Sequence, residues 1–168
     1  MAGYFDRIRA EVDGAHAAHA EMLERVPEGL RASLPVDATG VTRAIEILGA
    51  AVGIEAELRA ERDRSNRANP AVLHGRVFGR VPLAPETVVA AFADGARVRA
   101  GLLERLAAAV DGEALRDEVR ALLAERPPPG DDDAEPVAAL RAAYAAQEHA
   151  VLLCAGRLDA RAGEDRRP

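Results

Sequence analysis

Phe5, Ile8, Val12, Ala15, His19, Met22 and Val26 succeed one another at intervals of 3 and 4 residues. Near the other end of the chain, Val137, Leu140, Tyr144, Gln147, Val151, Cys154 and Leu158 repeat the pattern. This period lays each set along one side of an α-helix, so two long helices are expected, each with an apolar stripe against a neighbour. One polar residue interrupts each stripe, His19 in the first and Gln147 in the last. A polar group on a buried stripe needs a hydrogen-bonding partner, which makes both residues candidates for a site inside the fold.

The first helix is expected over residues 3–26, ended by Pro27 and Gly29, with Pro35 blocking any continuation. Asp37 is a candidate N-cap for a second helix over residues 38–64. That helix carries two adjacent apolar rows, Val41, Ile45, Leu48 and Val52 beside Ala44, Ile47, Ala51, Ile54 and Leu58, and so faces more than one neighbour. Gly49 and Gly53 within it are sites for close helix approach. Arg59, Arg62, Arg64 and Arg67 alternate with Glu57, Glu61 and Asp63, the pattern of a solvated face.

Residues 65–84 are irregular in pattern, with Asn69-Pro70, Gly75, Gly79 and Pro82 among apolar Val72, Leu73, Val77, Phe78, Val81 and Leu83. Their apolar content implies packing on the helices, either as a crossover between bundle positions or as a lid over a site. A third long helix opens at Pro85 and Glu86 and closes at Asp111-Gly112. A short amphipathic helix spans residues 113–125, and Pro127 to Pro129, Gly130 and Asp131 to Asp133 form a linker. The last helix covers residues 135–161, with an unstructured tail over 163–168. The expected fold is all-α: one domain over residues 1–162, a four-helix bundle, up-and-down or with one crossover connection, plus one short extra helix.

Composition sharpens this picture. The 168 residues are 49% hydrophobic, enough for one core, yet only 3% aromatic with no Trp. Helices lined with Ala, Leu and Val approach closely, and binding by aromatic stacking is disfavoured. The net charge of -6 argues against a nucleic-acid partner and against an anionic membrane surface. Charges interrupt every apolar stretch, so no bilayer span is expected, and the absence of an apolar leader near the start points to the cytoplasm. All 22 basic residues are Arg. Lysine Schiff-base chemistry and a lysine-containing phosphate loop are therefore excluded. Cys154, the single cysteine, sits on an apolar ladder as a small hydrophobe.

Each long helix offers a polar residue on or beside its apolar side: His19, Glu55, Arg99 and Gln147. Brought to one depth, they would form an internal layer of imidazole, carboxylate, guanidinium and amide suited to a small ligand. A metal alternative draws on His16 and His19, one turn apart, with Glu148 and His149. The paired Glu-x-x-His of di-iron bundles, the metalloprotease His-Glu-x-x-His, the Gly-x-Ser-x-Gly elbow and the glycine-rich phosphate loop are all absent. Two readings follow. One is a helical module acting by association with a second copy or a partner helix. The other is a ferritin-like bundle enzyme dependent on a small ligand or a metal, its cofactor unnamed.

Overall fold

The computed structural model describes residues 3–24, 26–68, 84–125 and 135–166. Among them are seven helices and no strand: α1 (Tyr4–Leu23), α2 (Glu28–Arg31), α3 (Ala38–Val52), α4 (Glu55–Ala68), α5 (Pro85–Asp111), α6 (Glu113–Ala124) and α7 (Glu135–Glu164). The fold is all-α, as the periodicity requires. The anticipated crossover or lid within 69–83 and the Pro-rich linker within 126–134 lie outside the described residues.

One expected helix is two. Gly53 has φ 78°, in the left-handed region, and its N–H donates to the carbonyls of Ala50 and Gly49. A left-handed glycine is a common helix terminator, and here it outweighs the uninterrupted apolar pattern of residues 38–64. The chain turns back at once. A Cβ built on Gly49 would fall 1.6 Å from Cδ1 of Leu58, so α4 seats the Leu58 side chain against α3 in the space left by a missing side chain. Asp37 does stand at the N-cap position of α3, but its side chain makes no capping hydrogen bond. At the other end of the chain, Gly163 and Glu164 continue α7 rather than starting a tail.

α5 begins with Pro85 in its first turn and ends at Gly112, whose φ is 82°. Every member of the α7 ladder is buried, Gln147 included. Leu48 of α3, Leu103 and Leu106 of α5, and Ala150 and Cys154 of α7 are fully enclosed and mark the centre of the core.

Side-chain pairings fix the helix directions. Tyr144 lies at Phe92, Gln147 at Ala96 and Arg161 at Val110, so α5 and α7 run parallel. α6 is the return: Arg120 pairs with Glu104 of α5, and Arg157 of α7 reaches Glu118 at 3.6 Å and Asp111 at 3.8 Å. It buries Leu115 and Val119 in the valley between the C-terminal halves of α5 and α7. α1 runs antiparallel to α7. The Asp159 carboxylate accepts the N–H of Tyr4 at 2.7 Å and of Phe5 at 3.5 Å, and the Phe5 ring packs over Gly156. α1 crosses α3 where Val12 meets Gly40, with Arg43 paired to Glu11 at 3.1 Å. Among the described residues no helix is long and apolar enough to cross a membrane.

Candidate functional site

α3, α5 and α7 converge on one polar centre built around the half-buried Arg99, with Gln147 and Tyr144 buried beside it. Its Nε donates to Oε1 of Gln147 at 3.3 Å and its Nη1 to the Thr42 hydroxyl at 3.3 Å. Its Nη2 donates to the Tyr144 hydroxyl. The guanidinium carbon lies 4.7 Å from the centroid of the Tyr144 ring, a cation–π distance. The partners are themselves held. Gln147 donates through Nε2 to the Ala96 carbonyl at 2.7 Å, Tyr144 donates to the Phe92 carbonyl at 3.4 Å, and Thr42 donates to the Ala38 carbonyl at 3.1 Å. The Tyr144 ring also meets Phe92 edge-on, with centroids 6.1 Å apart.

Local sequence explains the placement. Arg99 lies one turn beyond Gly95 on α5, and a Cβ at Gly95 would sit 3.0 Å from Nη1 and 3.2 Å from Nη2. The missing side chain gives the guanidinium room to fold back along its own helix. Tyr144 and Gln147 are three residues apart on α7 and therefore share a face.

The charge is held by neutral groups. Among the described residues no carboxylate forms an ion pair with Arg99. Burial lowers its pKa from the usual arginine value, while the hydroxyl of Tyr144 and the more distant carboxylate of Asp37 act in the opposite sense. Burial likewise raises the pKa of Tyr144, and the adjacent guanidinium opposes that rise. The phenol is thus protonated near neutral pH and acts as a hydrogen-bond donor, not a base. The centre can hold and orient a cation. It presents neither a nucleophile nor a general base.

Of the four residues expected in a polar layer, the structure brings Arg99 and Gln147 together. Glu55 lies exposed in the first turn of α4, because the turn at Gly53 takes it off the face that the uninterrupted periodicity assigned it. The His19 side chain is outside the described residues. Of the metal candidates, His16, Glu148 and His149 are exposed. Among the described residues no three His, Cys, Asp or Glu side chains gather where they would hold an ion. The sequence reading missed Thr42, the hydroxyl of Tyr144 and Gly95. The available signal was Gly95 itself, a glycine inside a helix one turn before an arginine on the apolar side.

Beside this centre, on the outer side of Gln147, a groove of about 720 Å³ opens between the N-terminal halves of α5 and α7. Alanine is the commonest residue of its walls, with Leu123 of α6, and the charged Arg97, Glu125 and Glu135 also line it.

No protein-family model matches the chain, and no solved structure matches it. Among curated proteins, a tRNA dimethylallyltransferase of Rhodopseudomonas palustris (strain BisB5) is 35% identical over 108 residues, covering 61% of this chain. The chain spans only 31% of the length of that relative.

Proposed function

We propose that this chain is a non-catalytic helical module that works by association through its helix faces, with a partner helix or a second copy. In this reading α1, α3, α5 and α7 are the four helices of a bundle and α6 is the additional one. The observation that carries it is that every polar side chain of the centre already has partners within it. Arg99, Gln147, Tyr144 and Thr42 hydrogen-bond to one another and to nearby carbonyls, and the open groove beside them is mainly apolar. A site evolved for a polar substrate keeps converging groups free for it.

The second reading, a small-ligand bundle enzyme, is favoured by one fact: two of its four expected residues do meet. An activity directed at tRNA draws only on the partial likeness to the transferase, and the net charge of -6 opposes it, since phosphate-backbone binding needs a basic face.

Two measurements test the proposal. Sedimentation velocity over a concentration series, together with the mass of the complex purified from its own host, reads association. A thermal-shift panel of metabolites and divalent metals, run on the wild type and on Arg99→Met, reads ligand binding. The proposal expects association and no Arg99-dependent thermal shift. A monomer without a stoichiometric partner, stabilised by a small molecule only when Arg99 is present, would establish the enzyme reading instead.

A further inference from the structure

We infer that α4 is a strap held across α3 and α5 largely by charge, and that it lifts as a unit from the turn at Gly53 when its ion pairs are screened. From Glu55 to Arg64 seven of the ten residues are charged, and of these ten only Leu58 is buried. A helix as short as α4 is not stable by itself in water, so its place depends on what docks it.

Leu58 is the apolar anchor, seated in the space left at Gly49. Ion pairs extend the hold in two directions. Towards α3, Arg62 pairs with Glu46 at 2.5 Å. Glu46 also receives Arg43 at 3.0 Å, and Arg43 reaches Glu11 of α1 at 3.1 Å, so the chain of charges runs on to a third helix. Towards α5, Arg105 pairs with Glu57 and also with Glu61, the latter at 3.5 Å. Glu57 and Glu61 lie one turn apart on the same face of α4, which lets one guanidinium hold both. The side chains of Arg43, Arg62 and Arg105 are 49%, 42% and 39% exposed, so salt reaches these pairs. Exposed pairs are weak singly and weaken further with ionic strength, whereas a buried leucine is not screened. Raising the salt therefore reduces the hold on α4 towards its single apolar anchor.

The turn permits the movement. The N–H of Gly53 donates to the Ala50 carbonyl at 3.3 Å, and the N–H of Ile54 donates to the Gly49 carbonyl at 3.0 Å. Both bonds close the end of α3 with its own backbone, so α3 loses nothing when α4 leaves. The N–H of Leu58 donates to the Ile54 carbonyl at 3.1 Å, which starts the ladder of α4 beyond the cap. The two helices thus have separate ladders joined at one left-handed glycine, and α4 can swing without unwinding α3. Lifting frees Leu58 and uncovers the notch at Gly49, which gives the chain a surface on α3 whose exposure rises with ionic strength.

The test is residue-resolved amide hydrogen exchange on the full chain by NMR, at about 20 mM and about 500 mM sodium chloride. At low salt the amides from Leu58 to Arg62 should exchange through one common opening. That exchange should be about tenfold or more faster than at Ala150 to Cys154 in the core of α7. At high salt the α4 amides should speed up several-fold while the α7 amides hold. Arg62→Gln/Arg105→Gln should show at low salt the fast α4 exchange that the wild type reaches at high salt, with little further response to salt. Should that variant not fold by circular dichroism, Glu57→Gln/Glu61→Gln removes the α5 pairs from the exposed side of α4 and carries the same expectation for those pairs, a faster exchange at low salt and a smaller salt response. Leu58→Ala should speed α4 exchange at both salt concentrations. Exchange of α4 only together with the α7 core overturns the inference, as does a gradient of rates rising towards the end of α4, which is fraying and not lifting. Salt acceleration equal in α4 and α7, or undiminished in the charge variants, overturns it too.

Discussion

Arg99 and Tyr144 meet twice: the guanidinium lies over the phenol ring, 4.7 Å from its centroid, and also donates a hydrogen bond to the ring's own hydroxyl. One side chain thus supplies both a π face and an acceptor to a cation that has no carboxylate partner among the described residues. The cation and its acceptors depend on one another, so their mutational costs should not add. Gln147→Leu leaves the Arg99 Nε without its acceptor and costs about 2 kcal/mol. In the double variant Arg99→Met/Gln147→Leu both ends of that bond are gone, and the loss should fall well short of the summed singles. Urea melts of the three variants decide; strict additivity would mean that the two residues act independently.

Two glycines of α5 should respond to alanine in opposite directions. A Cβ at Gly101 meets nothing within 4 Å, so Gly101→Ala should gain up to ~1 kcal/mol from helix propensity alone. At Gly95 the same Cβ crowds both terminal nitrogens of Arg99, at 3.0 and 3.2 Å, and the guanidinium, tied to three partners, must give by a few tenths of an ångström. Gly95→Ala should therefore lose about 1 kcal/mol despite the same propensity gain. Comparable stabilisation at both positions would show that the guanidinium has another place to go.

Much of this centre was legible in the sequence, and the missing part has a physical cause. Periodicity assigns a residue to a helix face: Gln147 on its ladder is buried, and Arg99, beside the apolar side of α5, is half-buried. Every member of the ladder from Val137 to Leu158 is buried as the spacing requires. Periodicity carries no information across a helix break, however. The apolar rows of residues 38–64 run past Gly53 without a gap, yet that glycine adopts φ 78° and starts α4 on a new axis. Glu55, just past the break, loses its expected place and faces solvent. Tyr144 was hidden differently: it reads as one more apolar rung, and only the three-dimensional partner shows that its hydroxyl is in use.

Glu55 provides a direct check of that displacement. Glu55→Gln should change stability by less than about 0.5 kcal/mol, as expected of an exposed position away from any network. It should also leave the effect of Arg99→Met unaltered. A coupling above about 1 kcal/mol between the two positions would restore Glu55 to the polar layer.

Cys154 is a pH reporter for the core. Burial pushes its thiol up to about 11, above its ordinary value of 9.0. The unfolded chain therefore releases this proton at lower pH than the folded one. The stabilising contribution is complete below about pH 9 and is lost as the pH rises towards 11, on the order of 2–3 kcal/mol in all. Cys154→Ala should flatten that alkaline decline in denaturant midpoints measured from pH 8 to 11. At pH 8 the native thiol should also resist a thiol-specific reagent that the urea-unfolded chain consumes quickly. Rapid labelling of the native protein would show that the α7 core opens readily.

The same stretch of α7 holds distant helix ends. Asp159 receives the first amides of α1 across 155 residues of chain, and Arg161 donates to the carbonyl of Val110 at the end of α5. Asp159→Ala should cost about 1 kcal/mol, as for the loss of an N-cap, and speed hydrogen exchange at the amides of Tyr4 and Phe5. A chain grows from its N-terminus on the ribosome, so the beginning of α1 emerges long before the residue that caps it. Until residue 159 is free, that first turn has no partner for its exposed amides, although the body of α1 already has α3 to pack on. The start of α1 therefore closes late, with the last helix acting as its latch, and a nascent chain stalled before that point would leave the first turn of α1 frayed.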